Sequence, residues 1–150
     1  MDKNAIRSYL SADEKIIDKL NQGVDYLGGH PPFGKPYREG GIFITDKRVI
    51  FSKASENRIF SIPYEDIVDI STETKERLTA TRVVLTGLIA FAWKKKEKFL
   101  LIEFKNDIGE TSKVGFGFSK SDPESWPTIR WAEVITKQRY NWFRNKKAPS

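Results

Sequence analysis

Gly41-Ile42-Phe43-Ile44-Thr45-Asp46-Lys47-Arg48-Val49-Ile50-Phe51-Ser52 decides how this chain folds. Two short runs of β-branched and aromatic residues flank Thr45-Asp46-Lys47, whose composition suits a tight turn, so the stretch reads as a β-hairpin. Asp46 is expected to serve that turn by accepting backbone amides, not to act as a general base. Ser55-Glu56-Asn57 turns the chain again before a strand over 58–62. Pro63 then interrupts the ladder because it has no N–H, and Ile67-Val68-Asp69-Ile70-Ser71 resumes strand composition after Tyr64-Glu65-Asp66. Connections this short predict antiparallel neighbours throughout.

Working outward, a strand is expected over 24–27, followed by the breaker-rich stretch Gly28 to Pro36. Before it, Ser11-Ala12-Asp13-Glu14 has the spacing of a capping box, and Ile16, Ile17 and Leu20 form an apolar stripe stopped by Gly23; a helix is predicted over 12–22. Downstream, 98–105 and 111–118 read as strands around the turn Asn106-Asp107-Ile108-Gly109. Phe116 and Phe118 share one face of the second, with Gly115 and Gly117 on the other. Residues 78–96 fit two patterns. Val83, Leu85, Ile89, Phe91 and Trp93 alternate as in a strand, while length and alanine content suit a buried helix, the preferred reading.

A final helix opens at Ser121-Asp122-Pro123, with Asp122 as N-cap and Pro123 in the first turn. At 100° per residue Ile129, Ala132, Ile135, Trp142 and Phe143 gather on one face, flanked by Trp131, and Arg130, Lys137 and Arg144 lie opposite. The strands at 24–27, 41–45, 48–53, 58–62, 67–73, 98–105 and 111–118 plus this helix predict a mainly β (α+β) fold. Two antiparallel sheets would form a seven-stranded barrel, its open end capped by the aromatic face of the amphipathic C-terminal helix.

The chain has 150 residues, 39% apolar and 31% charged, enough for one core. It contains no cysteine, which excludes disulfides and thiolate metal sites and suits a reducing, cytoplasmic compartment. The first residues show no signal-peptide pattern. The longest uncharged apolar run, Val83 to Trp93, falls short of the roughly 20 residues a membrane-spanning helix needs. A net charge of +6 favours anionic partners without selecting one.

The stretch Gly41 to Phe51, the motif Ile62-Pro63-Tyr64-Glu65-Asp66-Ile67 and the terminal helix together resemble the bacterial pleckstrin-homology-like (PH-like) domains, relatives of the GRAM domain, over residues 24–145. The resemblance implies a seven-stranded barrel with a capping helix and a role in binding proteins or lipid head groups, without a reaction. The chain then divides into an N-terminal helical extension, 1–22, and the PH-like domain, 23–147. In PH domains that bind phosphoinositides, basic residues between the first two strands grip phosphate, and Lys35 and Arg38 hold the corresponding places here.

Candidate sites are few. Gly29 to Lys35 matches the first seven positions of a phosphate-binding P-loop, but Pro36 stands where Ser or Thr must hold magnesium and no helix follows. His30 is the sole histidine, so neither a triad nor a metal site is expected, and no cofactor is expected. The acids Glu65, Asp66, Asp69 and Glu73 read as a solvated sheet edge. Trp93 followed by Lys94, Lys95, Lys96 and Lys98 has the order of a contact with anionic lipid head groups; a solvated turn explains the same residues. Lys137, Arg139, Arg144, Lys146 and Lys147 lie among Tyr140, Trp142 and Phe143, a mixture that binds single-stranded nucleic acid when the rings are free. With those rings expected in the core, no nucleic-acid partner is expected. The functional expectation is a binding or adaptor module for a protein or anionic lipid, with a peripheral membrane contact at the inner membrane surface as the alternative.

Overall fold

The computed structural model describes residues 3–29, 37–53, 58–74, 98–118 and 126–147. A short helix α1 (Lys3–Tyr9) precedes β1 (Ile16–Tyr26), β2 (Tyr37–Thr45), β3 (Arg48–Lys53) and β4 (Arg58–Pro63). A single 3-10 turn (Tyr64–Asp66) leads to β5 (Ile67–Thr74), β6 (Lys98–Lys105), β7 (Thr111–Phe118) and the long helix α2 (Trp126–Lys147). The fold is mainly β, seven antiparallel strands with a C-terminal helix, as the sequence predicts.

The predicted hairpin forms with Ile44 opposite Val49 and Ile42 opposite Phe51. Its runs are apolar at every position because both faces are buried. Ile42, Ile44, Val49 and Phe51 point into the main core with Phe60 and Ile62 of β4. Phe43 and Ile50 point the other way and are sealed by Ile6 of α1, with Tyr9, Leu10, Ile16 and Ile59 around them.

The helix predicted over 12–22 is instead the first half of β1, and the helix that does precede the sheet is α1. Exposure alternates from Ile16 to Leu20 with the period of a strand. The segment is captured by the hairpin: Lys15 N–H donates to Asp46 Oδ1 at 2.9 Å, and Asp46 N–H donates to the Lys15 carbonyl at 3.1 Å. Gly23, the expected helix stop, lies inside the strand at φ 84°, where the register with β2 shifts between Leu20 and Val24. That bulge lets Val24 to Tyr26 pair with β7 as well as β2.

The ladder order is β4-β3-β2-β1-β7-β6-β5. The seven described strands form one ladder that is continuous through β1, with β4 and β5 at its two edges. Every strand pairs antiparallel with the next in the chain except β4, which does not pair with β5; β5 pairs with β6 instead. The 3-10 turn redirects the chain there, pinned by the buried Tyr64, whose hydroxyl donates to the Thr45 carbonyl at 2.7 Å. Burial pushes that phenol well above its usual range.

α2 packs over the core as its apolar face predicts. Trp131 and Ile135 are buried, Ala132 and Trp142 are partly buried against the same cluster, and the Trp131 ring stacks on Phe118 at 6.4 Å. Arg130, Lys137 and Arg144 face water. The predicted helix start at Asp122 and Pro123, and the segment 78–96, lie outside the described residues.

Candidate functional site

Two constellations stand out. The first surrounds Glu14, whose side chain is fully buried beside Arg48. Both carboxylate oxygens accept two donors: Oε1 takes the Ser11 amide at 3.1 Å and Arg48 Nη2 at 2.9 Å, while Oε2 takes the Thr45 hydroxyl at 2.6 Å and Arg48 Nε at 2.9 Å. Burial by itself would raise this carboxyl, but the hydrogen bonds from Arg48, Thr45 and Ser11 outweigh it and bring it down to about 2. Arg48 also donates to the Tyr9 carbonyl at 2.9 Å and to Ser61 Oγ at 3.3 Å, and its guanidinium lies over the Tyr9 ring. The carboxylate and guanidinium are thus spent on fastening the N-terminal segment to the hairpin, a structural lock with little left to offer a substrate.

Sequence reasoning placed Glu14 in a capping box, and half of that box exists, because the Ser11 amide does donate to it. The other half is long-range. Asp46 does accept a backbone amide as expected, that of Lys15. The turn amides of Lys47 and Arg48 go instead to the Thr45 hydroxyl, at 3.0 and 2.9 Å.

The second constellation is a groove of about 560 Å³ between β5 and α2. Ile70, Ser71 and Thr72 supply the strand wall, and Ile129, Ala132, Thr136 and Tyr140 the helix wall. Glu133 and Lys137, one helical turn apart, line it as well. Arg139 ties the helix to the start of β5 by donating to the Ile67 carbonyl at 3.1 Å from Nη2. Tyr140 is 64% exposed, an unusual position for so large a ring, and Ile70 is partly buried against the core beneath. No described strand pairs with the outer edge of β5. The groove was not foreseen, since its walls lie more than fifty residues apart in sequence.

The expected contact residues Trp93, Lys94, Lys95 and Lys96, and also Lys35 and His30, lie outside the described residues. Lys98 and Arg38 are placed by backbone alone, at the start of β6 and in β2. The acids Glu65, Asp66, Asp69 and Glu73 do fall in the 3-10 turn and edge strand, as their reading as a sheet edge predicts. Burial, and then repulsion from Glu65 and Asp107, raise the Asp66 carboxyl above its ordinary value. Among the described residues no cluster of three or more His, Cys, Asp or Glu could hold a metal ion, and no helix is long and apolar enough to cross a membrane.

The basic and aromatic end of α2 is paired internally. Arg139 lies over Phe143 at 5.1 Å, Arg144 over Tyr140 at 5.9 Å and Lys146 over Trp142 at 4.9 Å. Trp142 also packs on the core. Trp142, held between the core and Lys146, offers little face to a nucleic-acid base, while Tyr140 stays exposed.

A family model described as "Bacterial PH domain" matches residues 10–114. The chain belongs to that family. The match takes in β1 through most of β7, so both the Glu14–Arg48 lock and the strand wall of the groove lie inside this PH domain, while α2 follows it. A comparison with curated proteins gives no match. Among solved structures, the PH domain is similar to the crystal structure of the C-terminal domain of an unknown protein from Leishmania infantum. That similarity has 18% identity and a TM-score of 0.48 over 91% of this chain and 93% of the other.

Proposed function

We propose that this PH domain is a binding module and not an enzyme, an adaptor that takes an extended segment of a partner protein into the groove between β5 and α2. The observation that carries the reading is an apolar groove running beside a sheet edge with no described partner strand. An edge strand offers backbone N–H and C=O groups to an incoming strand, and a pocket beside it selects alternate side chains. The test uses the full chain, labelled for NMR, and a ten-residue peptide of alternating valine and threonine. Shifts are expected in the amides of Ile70 to Thr72. Thr136→Trp fills the groove from an exposed position, so it should leave thermal unfolding almost unchanged and weaken the peptide about tenfold or more. A peptide that binds the variant as well as the parent would remove the groove from consideration.

A second proposal rests on residue order alone. Trp93 with Lys94, Lys95, Lys96 and Lys98 supports a peripheral contact with anionic lipid head groups, to which Lys35 and Arg38 would add charge. Flotation with anionic vesicles should exceed that with neutral ones. Each lysine near a charged leaflet contributes about 1 kcal/mol, so changing all four to glutamine is expected to weaken flotation by roughly three orders of magnitude. Equal flotation with both vesicle types would end this reading. Either surface suits a cytoplasmic protein.

A further inference from the structure

We infer that the outer face of β1 to β4 is a docking site for a short amphipathic helix of a partner protein, and that α1 is the occupant this chain supplies to itself. An antiparallel sheet with one face on the core ordinarily turns polar side chains outward on the other. Here Phe43 of β2 and Ile50 of β3, directly paired, point away from the main core, with Ile16 of β1 and Ile59 of β4 beside them. Uncovered, four large apolar side chains on neighbouring strands would form the kind of patch that marks a protein interface. The matched family region begins at Leu10, so this face belongs to the PH domain and the helix that covers it lies outside the match.

What α1 presents to the face defines the occupant. Ile6, Tyr9 and Leu10 fall at i, i+3 and i+4, a single helical stripe, and all three pack there. Arg48 receives the end of the helix. Its Nη2 donates to the Tyr9 carbonyl at 2.9 Å, its guanidinium lies 4.5 Å from the centre of the Tyr9 ring, and the Tyr9 hydroxyl donates to Ser61 Oγ at 3.3 Å. A cation at the carbonyl end of a helix is favourable and fixes the direction in which the helix lies. α1 holds this place weakly. Seven residues are too few for a helix that is stable alone. Of its described side chains Ile6 alone is fully buried, while Arg7 and Ser8 are exposed. Its departure leaves the receiving site intact, because Arg48 stays on both oxygens of Glu14, and Ser11 and Glu14 stay bonded to each other. With that turn fastened, α1 can swing only from Leu10. So short a swing disfavours exchange with a second copy and leaves the vacated face to a separate partner.

The experiment uses the full chain and a labelled peptide copying residues 1–12. Native-state hydrogen exchange needs no variant: the Leu10 amide, which donates to the Ile6 carbonyl at 3.1 Å, should exchange about a hundredfold faster than the ladder amides of β2 and β3. Ile6→Glu, checked for folding by thermal unfolding, then loosens α1. Apparent affinity scales with the fraction of molecules whose face is open, so this variant should bind the peptide about tenfold or more tightly than the parent chain does, with shifts at Phe43 and Ile50. An unrelated helical peptide with Ile, Tyr and Leu at the same spacing should also bind, and the first peptide carrying Ile6→Glu should not. If the Leu10 amide were as protected as the ladder, α1 would open only with the whole sheet and the proposal would fall. It would fall too if the folded variant bound the peptide no better than the parent, or bound the two versions of the peptide alike. A parent chain that dimerised with rising concentration, and lost the dimer on Ile6→Glu, would assign the face to a second copy and overturn the partner protein.

Discussion

Arg48→Met is expected to lower the stability of the domain by about 3 to 5 kcal/mol, read from the midpoint of urea unfolding at neutral pH. The substitution leaves Glu14 fully buried with only the Thr45 hydroxyl and the Ser11 amide for company. A buried carboxylate stripped of its counter-ion must either stay charged at high cost or take up a proton. The double variant Glu14→Gln/Arg48→Met should recover part of the loss, because the charge is removed along with its partner. The pH dependence of the parent gives an independent readout. The Glu14 carboxyl is depressed from 4.5 to about 2 in the folded protein. A depressed acid contributes stability that is fully present above its unfolded value and is lost as pH falls through the folded one. The window therefore runs from about pH 5 down to about pH 2, with on the order of 3 kcal/mol at stake. Glu14→Gln should flatten that part of the acid-unfolding profile. If parent and Glu14→Gln lost stability in parallel across this window, the lock would not have the weight given to it.

Trp131→Ala is expected to remove about 3 to 5 kcal/mol and to lower the melting temperature by roughly 10 °C. The indole is buried, stacks on Phe118 of β7 and belongs to the core that includes Val24, Ile42 and Phe116. Truncation leaves a cavity between α2 and the sheet that neighbours on two rigid elements can fill only in part. A change of less than about 1 kcal/mol would mean that the helix is not needed to cover the sheet, and the groove along β5 would lose the wall that defines it.

Much of this architecture was legible because the local signals agreed. The hairpin from Gly41 to Ser52, the strands β5 to β7 and the apolar face of α2 each combine propensity, period and turn chemistry pointing the same way. The misreading of 12–22 is instructive. Ile16, Ile17 and Leu20 fit a helical stripe as well as a strand, and Ser11 with Glu14 gives the right local spacing for a cap. What decides between them is the ladder offered by β2 and a hydrogen bond to Asp46, thirty-one residues from Lys15. No local pattern carries that information. The separation of β4 from β5 was hidden for a related reason: they follow each other in the chain, yet the 3-10 turn sends them to opposite edges of the ladder.

The groove was legible only in pieces. The acids at 65, 66, 69 and 73 were visible and suggested an exposed edge, which β5 is. The stripe of Ile129, Ala132 and Thr136 was partly visible as a helix face. That the two lie side by side, with Tyr140 left open at the rim, follows from how α2 crosses the sheet. The Glu14–Arg48 lock was missed, since its partners are thirty-four residues apart and the local pattern pairs Glu14 only with Ser11.

The sharing of β1 between β2 and β7 also governs the order in which this molecule can be built. More than ninety positions separate Val24 from its partner Phe118, so a chain emerging from the ribosome can pair β1 with β2, and β3 with β4, long before β7 exists. Until β7 arrives, the second border of β1 remains bare and half of the core has no wall. Such late, long-distance closure slows folding and prolongs the interval in which unfinished chains can stick to one another.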